Sequence, residues 1–167
     1  DAAVIRIRET DKAIAAATDC NGRYCYLDPY EGTKAAVAES ARNVACSGAK
    51  PIAITNCLNF GNPYKAEVYY SFSECIRGMR DACLAFDTPV TGGNVSFYNE
   101  NPNGAIYPTP VIGMLGLMQD FRKACTQHFK HDGDKVYLLG NPAKKLAGSQ
   151  YLKVIHNMIS GKIASID

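Results

Sequence analysis

The chain has 167 residues, and its 18 Lys and Arg against 16 Asp and Glu leave a net charge of +2. So even a balance gives no electrostatic footprint for nucleic acid or an anionic membrane surface. A hydrophobic fraction of 47% with 20% charged residues excludes global disorder.

No apolar run reaches the roughly 18 residues that a membrane helix needs. The opening Asp-Ala-Ala-Val-Ile-Arg-Ile-Arg lacks the basic start and apolar block of a signal peptide. With no initiator Met, position 1 reads as a strand already under way, as if cut from a larger protein. A compact monomer of this mass exposes roughly 8,000 Å². Seven cysteines, an odd number with no Cys-x-x-Cys, fit neither a disulfide framework nor a zinc ribbon. They point to a reducing, cytoplasmic setting.

In chain order, Ala3 to Arg8 is β-rich and predicts a strand. Ala13 to Thr18 predicts a second, able to form a hairpin with the first. Tyr24 to Pro29 is aromatic and reads as irregular. A helix is expected from about Tyr30 to Ser47, with an alanine-rich face and Gly48 as its stop. Pro51 to Thr55 reads as a buried strand, and Asn56 to Pro63, with three Asn, as a loop. Val68, Phe72, Cys75, Ile76, Met79, Ala82, Cys83 and Phe86 form one continuous helical stripe, the pattern of core packing.

Pro89 to Thr91 predicts a strand that enters Gly92-Gly93-Asn94 and continues over Val95 to Tyr98. Asn99 to Gly104 is a turn, and Pro110 to Leu117 an apolar strand. Beyond Asp120 the texture changes. Phe121 to Lys130 is basic and compatible with a helix, Lys135 to Gly140 with a strand, and Tyr151 to Ile159 with a short amphipathic helix. The order predicts an α+β domain, helices on one face of a mostly antiparallel sheet, over residues 1–125. Residues 126–167 are expected to be a linker and the start of a second α/β domain.

Three constellations could carry chemistry. Glu39 and Asn43, four apart on one helix face, offer oxygen ligands that suit Mg²⁺; a solvated face is the plainer alternative. Asn56 to Asn62 follows a buried strand, where ligand loops occur, although Asn also favours turns for backbone reasons. Thr91-Gly-Gly-Asn-Val-Ser96 lets backbone N–H groups approach a phosphate, with Asn94 a possible metal ligand; a tight turn or bulge is the alternative. It is not a P-loop, because the following Lys-Ser/Thr is missing. All three histidines, His128, His131 and His156, stand in the last third of the chain, away from these segments, and no catalytic base is evident.

Read together, Tyr24-Cys-Tyr-Leu-Asp-Pro-Tyr-Glu-Gly32, Ala41-Arg-Asn-Val44, Gly48-Ala-Lys-Pro51, Asn56-Cys-Leu-Asn-Phe-Gly-Asn-Pro63, Gly92-Gly-Asn-Val-Ser-Phe-Tyr98 and Tyr107-Pro-Thr-Pro-Val-Ile-Gly113 closely resemble the phosphoribosylformylglycinamidine synthase family. Its members are glutamine-dependent ligases of purine biosynthesis built from two halves similar to aminoimidazole ribonucleotide (AIR) synthetase. The resemblance spans nearly the whole chain and implies the N-terminal AIR synthetase-like domain of the second half. Leu146-Ala-Gly-Ser-Gln-Tyr151 resembles the opening of that half's C-terminal domain.

The resemblance implies ATP contacts at Asn56 and Gly93, Mg²⁺ ligation at Asn94 and substrate contact at Ser96. The family carries Asp where this chain has Asn56, which keeps a carbonyl acceptor and loses the charge. Metal ligands of an auxiliary nucleotide site known in larger members fall on Asp1, Glu39 and Asn43. The family's catalytic His motif, Ser-His-Asn-His-Pro-Ser, is absent, so no catalytic residue is assigned here and the chain alone is expected to be inactive. Implied partners are formylglycinamide ribonucleotide, the first-half domain, a glutaminase and, through an exposed sheet face, a second copy of the chain. A non-catalytic nucleotide-binding or scaffolding domain, or an AIR synthetase-like enzyme, are the rival readings.

Overall fold

The computed structural model describes residues 1–141 and 144–166. Two strands open the chain, β1 (Ala3–Arg6) and β2 (Ala13–Asp19), joined in the expected antiparallel hairpin with Ile5 opposite Ile14. A short helix α1 (Gly22–Leu27) leads into α2 (Pro29–Cys46), then β3 (Lys50–Asn59), α3 (Ala66–Phe86) and β4 (Val90–Ser96). A two-stranded turn, β5 (Glu100–Asn101) with β6 (Gly104–Ala105), precedes the long strand β7 (Thr109–Met118). The helix α4 (Gln150–His156) lies in the C-terminal segment.

The main sheet has the order β1-β2-β7-β3-β4. All its pairs are antiparallel except β3 with β4, the two strands that α3 connects. The expected mostly antiparallel α+β layer is therefore present. Side chains alternate across the sheet. Ala13, Ala15 and Ala17 of β2 and Ile112, Met114 and Met118 of β7 face inward and are buried. They meet Val37, Ala41 and Val44 of α2, and α3 adds Cys75, Met79 and Ala82 to the same core. Small alanines on β2 and α2 let helix and sheet approach closely. Gly116 marks the limit, since a Cβ there would fall 2.3 Å from Val44 Cγ1.

Among the described residues no helix packs on the opposite face. Ile5, Ile14 and Leu115 project there and are exposed by 65%, 39% and 41%. Towards β3 and β4 the same face turns polar, with Thr55, Cys57, Asn59 and Asn94 in matching register. The described residues expose 10,833 Å², well above the roughly 8,000 Å² of a compact monomer.

Several local expectations need correction. Tyr24 to Leu27 is helical, because the Asn21 side chain caps α1 by accepting from the Arg23 and Tyr24 N–H groups. Asn56 to Asn59 is strand rather than loop, because this stretch is paired on both sides, by β7 and by β4. The strand through the double glycine ends at Ser96 and does not reach Tyr98. Phe121 to Lys130 holds only a 3₁₀ turn, Phe121–Lys123. Lys135 to Gly140 is not a strand: among the described residues no neighbour offers a ladder, and Val136 to Leu139 are exposed. Of the expected second segment, residues 142, 143 and 167 lie outside the described residues. Within it, Ile163 is buried, and the Ile166 backbone bonds Glu31 and Lys34 of α2. No helix of the described residues is long and apolar enough to cross a membrane.

Candidate functional site

The β3–β4 pair brings four expected residues together. In its parallel register Asn56 stands beside Gly93, Cys57 beside Asn94, and Asn59 beside Ser96. Alternation then divides them. Asn56 points to the helix side, where its Nδ2 donates to Met79 Sδ at 3.5 Å. Asn94 and Ser96 fall on the open face with Cys57 and Asn59. Because β4 is the last strand of its sheet, a ligand wrapped over this edge can touch both sides.

Gly93 is glycine for a steric reason. A Cβ at that position would lie 2.1 Å from Asn56 Oδ1 and 3.0 Å from the Asn56 carbonyl. At Gly92 a Cβ would meet nothing within 4 Å, so the edge there is open. Beside Asn56, between the C-terminal half of α3 and the start of β4, runs a groove of about 520 Å³. Ile76, Met79, Cys83, Leu84 and Val90 give it apolar walls, and Asn56 is a polar group within it. Arg80, Asp87 and Thr88 also line it, and its volume is in the range of small-molecule pockets. Burial pushes the Cys83 thiol up, so it stays an uncharged part of that wall.

Ser96 is held from one side. The Asn99 Nδ2 reaches Ser96 Oγ, the Ser96 carbonyl and the Phe60 carbonyl, each at 3.0 Å. Sequence reading did not single out Asn99. Its signal was the tight turn after β4, in which Tyr98 takes a left-handed φ of 61°.

The other expected set lies elsewhere, at the N-terminus and on α2. Asn43 Oδ1 is 3.4 Å from the Asp1 nitrogen, and Asn43 Nδ2 donates to both carboxylate oxygens of Asp19 at 3.1 and 3.2 Å. Glu39 stands one turn before Asn43. Asp19, at the end of β2, was missed in the sequence because nothing local relates it to α2. These are hard oxygen donors of the type Mg²⁺ takes when it also keeps waters or phosphate oxygens. Among the described residues no group of three or more His, Cys, Asp or Glu is placed to hold a metal ion by itself. The structure therefore keeps two separate sets, one on β3 and β4 and one on β2 and α2, with β7 between their strands.

Residues 1–118 match the model of the family "AIR synthase related protein, N-terminal domain". The chain is 56% identical over 167 residues to phosphoribosylformylglycinamidine synthase subunit PurL of Thermoanaerobacter sp. (strain X514), covering 100% of this chain and 23% of that protein. It is 61% identical over 155 residues to the same subunit of Chlorobium luteolum, covering 90% of the chain and 20% of the relative. The chain thus spans less than a quarter of the length of these curated relatives. Among solved structures, Thermotoga maritima PurL complexed with ATP matches with a TM-score of 0.68 and 38% identity, over 74% of this chain and 20% of that one. Thiamine monophosphate kinase of Aquifex aeolicus, with a TM-score of 0.53 and 17% identity over 72% of this chain and 38% of that one, shares the fold alone. With the family model covering residues 1–118, the chain belongs to the AIR synthase related N-terminal domain family.

Proposed function

We propose that the chain serves as the N-terminal domain of the second half of a phosphoribosylformylglycinamidine synthase, an ATP-dependent C–N ligase of purine biosynthesis. The observation that carries this reading is the Gly-Gly-Asn-Val-Ser strand, set in register with Asn56 at the edge of an apolar groove. That T. maritima PurL has been solved with ATP and with FGAR supports it. The division into residues 1–125 and a following 126–167 segment is part of the same proposal.

In this reading the base of ATP enters the groove beside Asn56, and the phosphates cross the open edge at Gly92 and Gly93. Ser96, on the far face, contacts the formylglycinamide ribonucleotide. The γ-phosphoryl group passes to the substrate's amide oxygen, and ammonia from a glutaminase partner then displaces phosphate to leave the amidine. Mg²⁺, held by Asn94 together with phosphate oxygens, would neutralise charge during the phosphoryl step. The protein's own work is positioning, by backbone N–H groups and neutral amides, which fits a chain with a net charge of only +2. Asp1, Glu39 and Asn43, with Asp19 added, would form the auxiliary metal-nucleotide set.

The exposed apolar half of the open sheet face favours a partner sheet, either the first-half domain or a second copy of the chain. A protein working in the cytoplasm with a separate glutaminase fits the same reading. The test is Asn94→Ala in a full-length subunit carrying this chain. ATP-dependent amidine formation should fall by at least a hundredfold, in the range of a lost electrostatic contact to the reacting groups. Near-normal turnover would remove the assignment. Calorimetry of the chain with ATP and Mg²⁺ separates the rival role: no binding leaves a scaffold that only buries its sheet.

A further inference from the structure

Asn99 closes the end of β4 with its side-chain amide. Its Nδ2 carries two hydrogens and stands 3.0 Å from three acceptors, the Phe60 carbonyl, the Ser96 carbonyl and Ser96 Oγ. The Asn99 side-chain oxygen, Oδ1, accepts from Ser96 Oγ at the longer distance of 3.3 Å. The backbone fixes the amide in this place. The Asn99 N–H donates to the Phe60 carbonyl, the Phe60 N–H donates to the Ser96 carbonyl, and the Asn99 carbonyl accepts from Ile106 N–H. Tyr98 in a left-handed conformation turns the chain so that Asn99 reaches back over the strand end.

A hydroxyl can accept and donate at once. When Asn99 Nδ2 donates to Ser96 Oγ, it occupies a lone pair and leaves the O–H proton for another acceptor. The competing bond from Ser96 to Asn99 Oδ1 is the longer one, so little is lost when the proton turns outward. We propose that Asn99 is a positioning residue that sets Ser96 to donate its hydroxyl proton to an acceptor oxygen of the bound substrate. The inference rests on the reading of Ser96 as a substrate contact. It adds that the contact is a donated hydrogen bond, and that its direction is imposed by a neighbouring amide. An amide suits this task because it is neutral at every working pH and cannot take the proton itself.

The test is a double-mutant cycle on KM for the ribonucleotide substrate in the full-length subunit, with ATP saturating. Ser96→Ala should raise KM about tenfold, the usual worth of one hydrogen bond to a substrate. Asn99→Ala should raise it several-fold with kcat much less changed, and should add nothing in the Ser96→Ala background. Equal effects of Asn99→Ala with and without Ser96 would overturn the proposal, since Asn99 would then act through the fold alone. An unchanged KM in Ser96→Ala would overturn the substrate-contact reading and the proposal with it. Because Asn99 also ties two carbonyls, its replacement could unfold the turn, so a second measurement uses the chain with Asn99 intact. The Asn99 side-chain amide resonances should shift on Ser96→Ala while the backbone spectrum elsewhere stays in place. Resonances that do not move would remove the Nδ2–Oγ bond and the inference built on it.

Discussion

Asn56 and Gly93 face each other across a parallel strand pair so closely that the Asn56 amide occupies the place a side chain at 93 would take. A methyl at 93 would overlap Asn56 Oδ1 at 2.1 Å and Cγ at 2.8 Å, and would press on the Asn56 backbone carbonyl at 3.0 Å. The overlap is with the movable end of a side chain. Gly93→Ala should therefore cost only about 1 kcal/mol of stability, at the low end for overpacking. It should nevertheless displace the Asn56 amide from Met79 and weaken nucleotide binding. The double variant with Asn56→Ala should regain the stability but not the binding. Urea titration and ATP calorimetry read the two quantities, and recovery of both would mean that Asn56 does not contact the nucleotide. Gly92→Ala, with nothing within 4 Å, is the matched control for the stability measurement alone.

Gly78 on α3 is the opposite case. A Cβ there would sit 2.3 Å from the Tyr30 carbonyl of α2, and backbone cannot swing aside. Alanine is the better helix former by about 1 kcal/mol. Separation of two packed helices costs more, so Gly78→Ala should destabilise by about 1–3 kcal/mol. A thermal melt that rises in this variant would show the two helices to be less tightly joined than described.

The same helix pair carries a pH-dependent link. Tyr30 donates its hydroxyl to Asp81 at 2.8 Å, with the Arg77 guanidinium 4.3 Å from its ring centroid. Arg80 first, and Tyr30 second, hold the Asp81 carboxyl below the ordinary carboxylate range. The bond to Asp81 holds the Tyr30 phenol above its ordinary range. A depressed carboxylate stabilises the fold above its unfolded value and loses that contribution as the pH falls through the folded one. A raised phenol contributes below its unfolded value and loses it as the pH rises through the folded one. The melting-temperature difference between the parent and Tyr30→Phe should thus be largest near neutrality and shrink below about pH 4 and above about pH 10. A difference constant from pH 3 to pH 7 would contradict the link.

Seven thiols should divide by access. Cys46, Cys57 and Cys125 are exposed, whereas Cys25, Cys75 and Cys83 are buried. Cys25 is raised further by its thiol neighbours Cys20 and Cys75. Titration with a disulfide reagent should give three rapid equivalents, a slower one from half-buried Cys20, and three that wait for unfolding. Labelling of Cys25 in the folded chain would contradict the burial.

Much of the layer was legible in the sequence, because each long element carries its own period. The stripe from Val68 to Phe86 lies in α3, and the short strand expected over Ala13 to Thr18 is β2. The failures have a common physical cause. Asn56 to Asn59 has the composition of a turn and becomes strand only because β7 and β4 hold it from both sides. Lys135 to Gly140 has the composition of a strand and stays unpaired because no ladder adjoins it. The proposed site residues were named through family resemblance, while Asp19 and Asn99 were not. Asp19 meets Asn43 across 24 residues of chain, and Asn99 depends on one left-handed Tyr, so neither leaves a local pattern.

The place of β7 in the sheet also bears on how the molecule comes together. It is the last strand among the described residues and the middle one in space, flanked by β2 and β3. A nascent chain that has reached Ser96 can join β1 to β2, and β3 to β4, but these two ribbons have no direct bond to each other. Only when Thr109 to Met118 inserts between them does one sheet exist, closing loops of about a hundred residues on one side and fifty on the other. Folding should therefore be late, slow and concerted, with β7 as its keystone. A ribosome-bound chain ending before residue 109 should remain protease-sensitive throughout, whereas release beyond residue 118 should protect both ribbons at once.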